Sequence, residues 1–416
     1  MKKFITLALG LTLVFTLGAC DIFEEEEEEL AQGVTEDTVT VGNTAATSGA
    51  FADVGVPFNA ALEAYFEMVN DEGGVAGREI EFVHYDDEFD GAQGQEYTER
   101  LVEEDEVFAL VGHFGTPTVG ATRDYLNQIG IPRVYYATGI SELFAPEAEG
   151  GERSSFPVQP IYDAEGEVMV ARAVDEYDAE KIGVIYSNAD DGQGMLNGIE
   201  MRADDLGIEL ETQQVDPEGI DYSSQAATIV DADVDAVLVA ANQVPAEIAT
   251  KALYAEGNDA PVFTSYVNAE VSWLGNLEED EIVSGEDFPL YASAWVDIFD
   301  ETGEDFNEGY LQFAEQVEEY ADNSFAMAGW IAAHFFVEGL ERVGEDDLNW
   351  DNYIDAMEED PIENPMGGIV DFADGSRVGT QAMALLKATA FEDEEGEIQV
   401  DWANHRMIED ISSILE

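Results

Sequence analysis

Two doubly wound parallel β-sheets, each flanked by helices, form the α/β architecture that three observations predict. Short apolar, β-branched runs recur along the chain. Between them lie longer segments with apolar residues at helical spacing. The whole rhythm then starts a second time after Pro157–Pro160, which implies two sheets rather than one.

In chain order, Thr38-Val39-Thr40-Val41-Gly42 reads as the first strand. Residues 57–70 carry Ala61, Leu62, Tyr65, Phe66 and Val69 on one helical face, and Gly73-Gly74 ends that helix. Residues 79–85 alternate as a second strand, and 93–104 is helical. Phe108-Ala109-Leu110-Val111-Gly112 is wholly apolar, as a buried parallel strand should be. A helix over 117–129 and the strand Pro132-Arg133-Val134-Tyr135-Tyr136 close the first series. The second series runs helix 163–177, strand 182–186, helix 193–206, strand 208–215, helix 223–232, strand 236–240, helix 245–256 and strand 262–264. Residues 305–321 and 325–343 read as long helices, and 367–372 and 381–391 as strands returning to the sheets. Ligands of such folds sit beyond the carboxyl ends of the strands, and between two lobes the cleft is the expected site.

Composition narrows the function. The chain has 416 residues, enough for two or three domains. Its 45% hydrophobic and 10% aromatic content suffices for packed cores. Lys and Arg total 15 against 93 Asp and Glu, a net charge of −78. Such a surface repels nucleic-acid phosphates and anionic lipid headgroups. It suits a saline habitat, since at molar salt the Debye length falls to about 3 Å and self-repulsion fades.

The N-terminus reads as an address. Lys2-Lys3 precedes a short apolar run over 4–17, followed by Leu17-Gly18-Ala19-Cys20. The run is short for a membrane span and flanked like a secretory leader. Small residues before a Cys resemble the bacterial lipobox. In lipoproteins with that motif the Cys is lipidated and becomes the new N-terminus after cleavage, which would make 1–19 a signal peptide. The other reading of Cys20 is a buried Cys in an ordinary helix. It is the chain's single Cys and has no disulfide partner. Six consecutive glutamates, 24–29, would repel one another and extend residues 20–37 as a solvated tether.

Catalytic and cofactor motifs are scarce. There is no Gly-x4-Gly-Lys-Ser/Thr phosphate loop and no Gly-x-Ser-x-Gly elbow. Gly192-Gln193-Gly194-Met195-Leu196-Asn197-Gly198 misses the dinucleotide fingerprint because its third Gly falls one residue late. A calcium loop counted from Asp86 would need Glu at its twelfth position, where Tyr97 stands. The four histidines are scattered. The expectation is a chain that is not an enzyme and carries no metal and no cofactor.

The segment Val41-Gly42 through Ser48-Gly49-Ala50-Phe51 resembles the first strand and loop of the solute-binding proteins for branched-chain amino acids. Asn70-Asp71-Glu72-Gly73-Gly74-Val75-Ala76-Gly77-Arg78-Glu79-Ile80 is similar to that family's most specific stretch. Tyr85-Asp86-Asp87, Val111-Gly112-His113-Phe114-Gly115-Thr116 and Ala137-Thr138-Gly139 follow in register. The likeness runs from about 38 to 391. It implies the type I periplasmic binding fold, a monomer of two lobes joined by a three-crossing hinge, which delivers a small ligand to an ABC permease. By this resemblance the crossings fall near 158, 288 and 370. Lobe 1 is then 38–158 with 289–370, and lobe 2 is 159–288 with 371–416. The protein would be exported and held to the outer face of the plasma membrane through its lipid alone.

The resemblance also implies binding roles. Thr116 stands where a hydroxyl and backbone N–H groups hold the ligand carboxylate, although Thr before a helix also commonly caps it. Ala137, Thr138 and Gly139 form the second clamp. Asp191, Gln243 and Tyr266 occupy the closing positions of the second lobe, with Tyr162 as an aromatic wall and Phe51 at the first loop. Tyr162, Tyr266 and Phe51 are equally readable as packing aromatics, and Asp191 as one more solvated acid. Amino-acid binders usually carry Tyr where Asp191 stands and Glu where Tyr266 stands, and a hydroxyl where Gly139 stands. Asp191 could then supply the carboxylate for a ligand ammonium. The Gly-Thr-Pro-Thr and Ala-Thr-Gly stretches also look like relatives that bind aromatic or other small carboxylates and amides. A ligand-sensing receptor of the same fold and a surface hydrolase remain the rival readings.

Overall fold

A computed structural model describes residues 30–285, 288–298, 306–344, 347–393 and 396–416. The leader, Cys20 and the glutamate run lie outside the described residues.

The first sheet contains β1 (Thr38–Ala45), β2 (Glu79–Asp86), β3 (Ala109–Phe114), β4 (Arg133–Ala137) and β5 (Ser155–Phe156) in the order β2-β1-β3-β4-β5, all parallel. β3 is buried at every residue, the signature of a central strand covered on both faces. The connections are α1 (Ala52–Asp71), α2 (Gly91–Glu103) and α3 (Thr116–Ile129). The expected first helix begins earlier than residue 57, and Pro57 lies inside it. A 3-10 turn at Gly49–Phe51 starts the winding ahead of the proline. Gly55 then seats the helix on the chain below, where a Cβ would meet the Ala46 carbonyl oxygen at 2.0 Å.

The second sheet takes β6 (Lys181–Ser187), β7 (Glu209–Val215), β8 (Ala236–Ala240), β9 (Val262–Thr264) and β10 (Leu290–Ala294) as a parallel set. A short antiparallel pair, β11 (Ile362–Glu363) and β12 (Ile369–Val370), stands apart. A long antiparallel hairpin of β13 (Ala382–Glu392) and β14 (Ile398–Asp410) extends the second sheet to the order β14-β13-β10-β9-β8-β6-β7. Helices α4 (Tyr162–Tyr177), α5 (Asp190–Leu206), α6 (Ser223–Asp231), α7 (Val244–Ala255) and α8 (Val271–Glu278) surround it. Gly198 lets α5 lie tight on α4, since a Cβ there would meet the Asp163 carbonyl oxygen at 1.8 Å. The near-fingerprint glycines therefore serve packing.

The long helix expected over 305–321 is instead α9 (Glu308–Gln316) followed by a 3-10 turn, Glu318–Tyr320. α10 (Ser324–Val343) packs its apolar face on α1, and α11 (Trp350–Met357) and the terminal α12 (Ile411–Ile414) follow. Of the strand expected over 367–372, only β12 forms.

Two hinge positions differ from expectation. β10 is hydrogen bonded to β9, so the chain leaves the second sheet after Ala294, not near 288. Arg377 still pairs with Ala145 of the first-sheet side, and Phe372 packs on Phe156, so the return lies beyond 370. It comes at Thr380, whose N–H and hydroxyl both donate to the Val158 carbonyl at 2.7 Å. Gly379 has φ +68°, and a Cβ there would meet the Gln159 carbonyl oxygen at 2.3 Å. The first and last connections thus run pressed side by side. Apolar runs identify strands, whereas a crossing depends on which sheet edge receives the next strand.

Candidate functional site

A cavity of about 610 Å³ opens between the two sheets at the carboxyl ends of their strands. It is within the range of about 300–1,000 Å³ that encloses drug-sized ligands. The end of β4 and the loops after β1, β2, β3, β5, β8, β9 and β10 all reach it, as the geometry of doubly wound sheets requires. The starts of α9 and α10 and the β13–β14 hairpin complete its wall.

Of the residues nominated from sequence, Phe51, Thr116, Ala137, Tyr162, Gln243 and Tyr266 line the cavity. Phe51 stacks on Phe89 with ring centroids 3.8 Å apart. Tyr162 and Tyr266 stack at 6.0 Å and are both buried. They therefore pack and line the cavity at once. Thr116 is the first residue of α3; the N-cap is Gly115, and the Thr116 hydroxyl lies 2.8 Å from that of Thr138. Thr138 is buried behind the wall.

Gly139 also stands behind the wall. A Cβ there would meet the Pro160 carbonyl oxygen at 2.5 Å and the Tyr266 hydroxyl at 2.8 Å. The two departures from the family pattern are thus one arrangement: the Tyr266 phenol fills the space in which a larger residue at 139 would sit. Asp191 is the correction. It opens α5, outside the cavity wall, with its carboxyl held by the Gly192 N–H and the Ser187 hydroxyl, while burial pushes its pKa up. A helix's first turn satisfies an acid locally, and sequence position alone does not reveal that.

A chain of hydrogen bonds crosses the floor from one sheet to the other. The Tyr135 hydroxyl donates to Gln159 Oε1 at 3.0 Å. Gln159 Nε2 donates to the Tyr266 hydroxyl at 3.0 Å, which donates to the Pro160 carbonyl. Tyr135 has φ +63° in the middle of β4, opposite Gly112 with φ +68° in β3. Gln243 has φ +52°. Non-glycine residues in the left-handed region carry strain, and these two line the cavity.

The cavity's electrostatics are one-sided. Asp297, Asp322 and Asp401 line it, and among the described residues no Lys, Arg or His does. Two further acids sit near it in strongly shifted states. Glu165, fully buried, takes the Tyr266 N–H at 2.7 Å and the Ser265 hydroxyl at 3.0 Å, and burial raises its pKa to about 8. Glu270 precedes α8 on the second-sheet side and accepts the Ser324 N–H at 2.6 Å, together with the Ser324 hydroxyl, at the start of α10 on the other side. Burial raises Glu270 to about 7. Its carboxylate joins the lobes at the cavity's edge. A second interlobe link runs from the Ser141 hydroxyl to Asp163 Oδ2 at 2.5 Å.

The acids of the 86–90 loop act on the backbone. Asp86 accepts the Thr47 and Glu88 N–H groups, and Asp90 caps α2 through Ala92 and Gln93. No group of three or more His, Cys, Asp or Glu placed to hold a metal occurs among the described residues.

Sequence reasoning missed Gln159, Asn242, Trp295 and Asp297. The last two follow β10, and the run Leu-Tyr-Ala-Ser-Ala read as a strand would have nominated them by the same strand-end rule.

The comparisons with known proteins agree with this geometry. The Leu/Ile/Val-binding protein homolog 1 of Brucella abortus is 29% identical over 210 residues, 48% of this chain and 53% of that relative. The chain spans about half the length of the relatives it matches. A fatty acid ABC transporter substrate-binding protein from Thermomonospora curvata superposes with a TM-score of 0.75 at 19% identity, covering 92% of this chain and 96% of that one. A branched chain amino acid ABC transporter from Thermus thermophilus with bound valine gives 0.75 at 16% identity, covering 93% and 98%. These two likenesses show the fold. The periplasmic binding protein family model matches residues 38–397, and the chain belongs to that family of substrate-binding proteins with the type I fold.

Proposed function

We propose that this chain is the extracytoplasmic ligand-capturing lipoprotein of an ABC importer. It would take an amino acid or a related carboxylate or amide into the interlobe cavity and release it unchanged to a membrane permease. The observation that carries this reading is the cavity itself, walled by strand-end loops of both sheets and bridged by Glu270 and Ser141. Closure around the ligand is a hinge motion, and the permease recognises the closed form. Lobe 1 would comprise 38–158 with 295–377 and lobe 2 159–294 with 378–416, a division that the strand pairing supports. Phe51, Thr116, Ala137, Tyr162, Gln243 and Tyr266 contact the ligand. Cys20 carries the lipid, and the chain acts as a monomer. No helix among the described residues is long and apolar enough to cross a membrane.

Thermal unfolding at molar salt tests the reading. Amino acids, aromatic carboxylates, short amides and sugars are each screened as ligands. One present at 100 times its Kd adds about 2.7 kcal/mol of stability. A folded protein whose transition no ligand moves would overturn the proposal.

A further inference from the structure

We propose that the ligand is anchored by a nitrogen that donates hydrogen bonds, an ammonium or a primary amide, on a bulky apolar or aromatic body, and not by a carboxylate. The inference rests on the binding function proposed above and narrows it.

The argument is an inventory of donors and acceptors. A carboxylate taken out of water needs donors or a cation. No Lys or Arg among the described residues lines the cavity. Several of the wall's side-chain donors are already committed. Tyr135 donates to Gln159, Gln159 to Tyr266, Tyr266 to the Pro160 carbonyl, Gln243 to the Val267 carbonyl and Ser324 to Glu270. An acceptor, by contrast, is left over. Asn242 Nδ2 donates to the Tyr162 hydroxyl at 3.1 Å, while Asn242 Oδ1 is buried with no hydrogen-bond partner. A buried acceptor in a ligand cavity needs a donor to arrive, and a ligand N–H supplies one.

Charge points the same way. Asp322 and Asp401 are exposed and line the open side, with Asp297 half-buried. The field of a chain at −78 draws cations towards such a cleft and turns anions away. Aromatic faces favour an ammonium as well, through their negative quadrupole. The rest of the wall describes the body of the ligand. Phe51, Phe89, Phe114, Tyr135, Tyr162 and Trp295 offer ring surface, in a volume larger than a small aliphatic amino acid needs.

The test compares heads on a fixed body. Phenethylamine, phenylacetamide and phenylacetate are titrated into the full chain at molar NaCl, as are octylamine, octanamide and octanoate. Binding is read by calorimetry and by the fluorescence of Trp295 and Trp402, which line the cavity. The expected result is that the amine or the amide binds at least tenfold more tightly than its carboxylate. Asn242→Leu should remove most of that advantage while the protein still unfolds cooperatively. Asn242→Asp, which keeps the acceptor and adds charge, should favour the amine over the amide. Tighter binding of the carboxylates, or a head preference that both Asn242 variants leave unchanged, would overturn this inference and leave the binding function standing. If no member of either series binds, and no ligand of the wider screen does, the binding function falls and this inference with it.

Discussion

At the scale of single residues, Gly139 and Tyr266 illustrate how one position dictates another. The Tyr266 hydroxyl, held by Gln159 and Pro160, stands 2.8 Å from where a Cβ at 139 would be. Gly139→Ser should cost about 1–3 kcal/mol through overpacking. A double variant that also carries Tyr266→Glu should cost less than the sum of the two single changes, because the two sites share the space. Urea unfolding of the single and double variants measures this; strict additivity would show that the two positions do not compete. Arg377 is the second sharp case. It is fully buried, lies over the Phe156 ring at 4.5 Å and pairs with Glu358 at 2.5 Å. Arg377→Ala leaves the Glu358 carboxylate to Arg153 alone and empties a fully buried site between Phe156 and Phe372, and should cost about 3–5 kcal/mol, read as a lowered unfolding midpoint. Nothing in the residues around 377 announces this burial. By contrast Thr116, Tyr162 and Tyr266 were nominated through the family resemblance, and the structure places all three at the cavity wall.

At the scale of elements, α10 is the informative helix. Its N-terminus receives the Glu270 carboxylate from the second-sheet side, so one interaction both caps the helix and links the two sides of the cavity. If the lobes close as proposed, Glu270→Gln should leave each lobe folded and weaken ligand affinity, measured by titration, because the carboxylate that ties α8 to the start of α10 is gone. An unchanged Kd would remove Glu270 from the closure mechanism. Glu165 and Glu270 also set a pH dependence. Their folded pKa values, about 8 and about 7, lie above the ordinary 4.5, so folding favours the protonated acids. Their contribution to stability is greatest below pH 4.5, declines as pH rises through the folded values, and is level above about 8. Glu165→Gln should flatten that decline relative to the unaltered chain, in unfolding midpoints taken between pH 4.5 and 8. An unchanged slope would show that Glu165 titrates normally. The strands and helices themselves were readable wherever their pattern was strong, as in β8, which is buried throughout. β14 was not, because Ile398–Asp410 is mixed in polarity and largely exposed and so carries no clean alternation.

At the scale of the whole molecule, charge governs. With 93 acids and 15 bases, the compact state gathers like charges that the unfolded chain spreads apart. Urea unfolding should show stability rising between about 0.1 M and 1 M NaCl, as the Debye length contracts from about 10 Å to about 3 Å. A flat response would mean that the surface acids are spaced widely enough not to interact. The fold class was legible at this scale because two βα series follow one another in sequence. The hinge was not. Crossings are set by the sheet edge that each strand joins, and β10 and the hairpin beyond residue 380 join the second sheet by pairings with no local sequence mark.

The adjoining of Val158 and Thr380 has a mechanical consequence. Two backbones tied at one carbonyl and pressed together at Gly379 and Gln159 form a single post, and the link that begins at 295–298 is the other strut among the described residues. A body hung on one post and one strut swings about the line joining them and resists twisting away from it. Distances between spin labels placed across the cavity mouth should therefore fall into two narrow populations, swung apart and swung together, with the balance moved by ligand and the two distances unmoved.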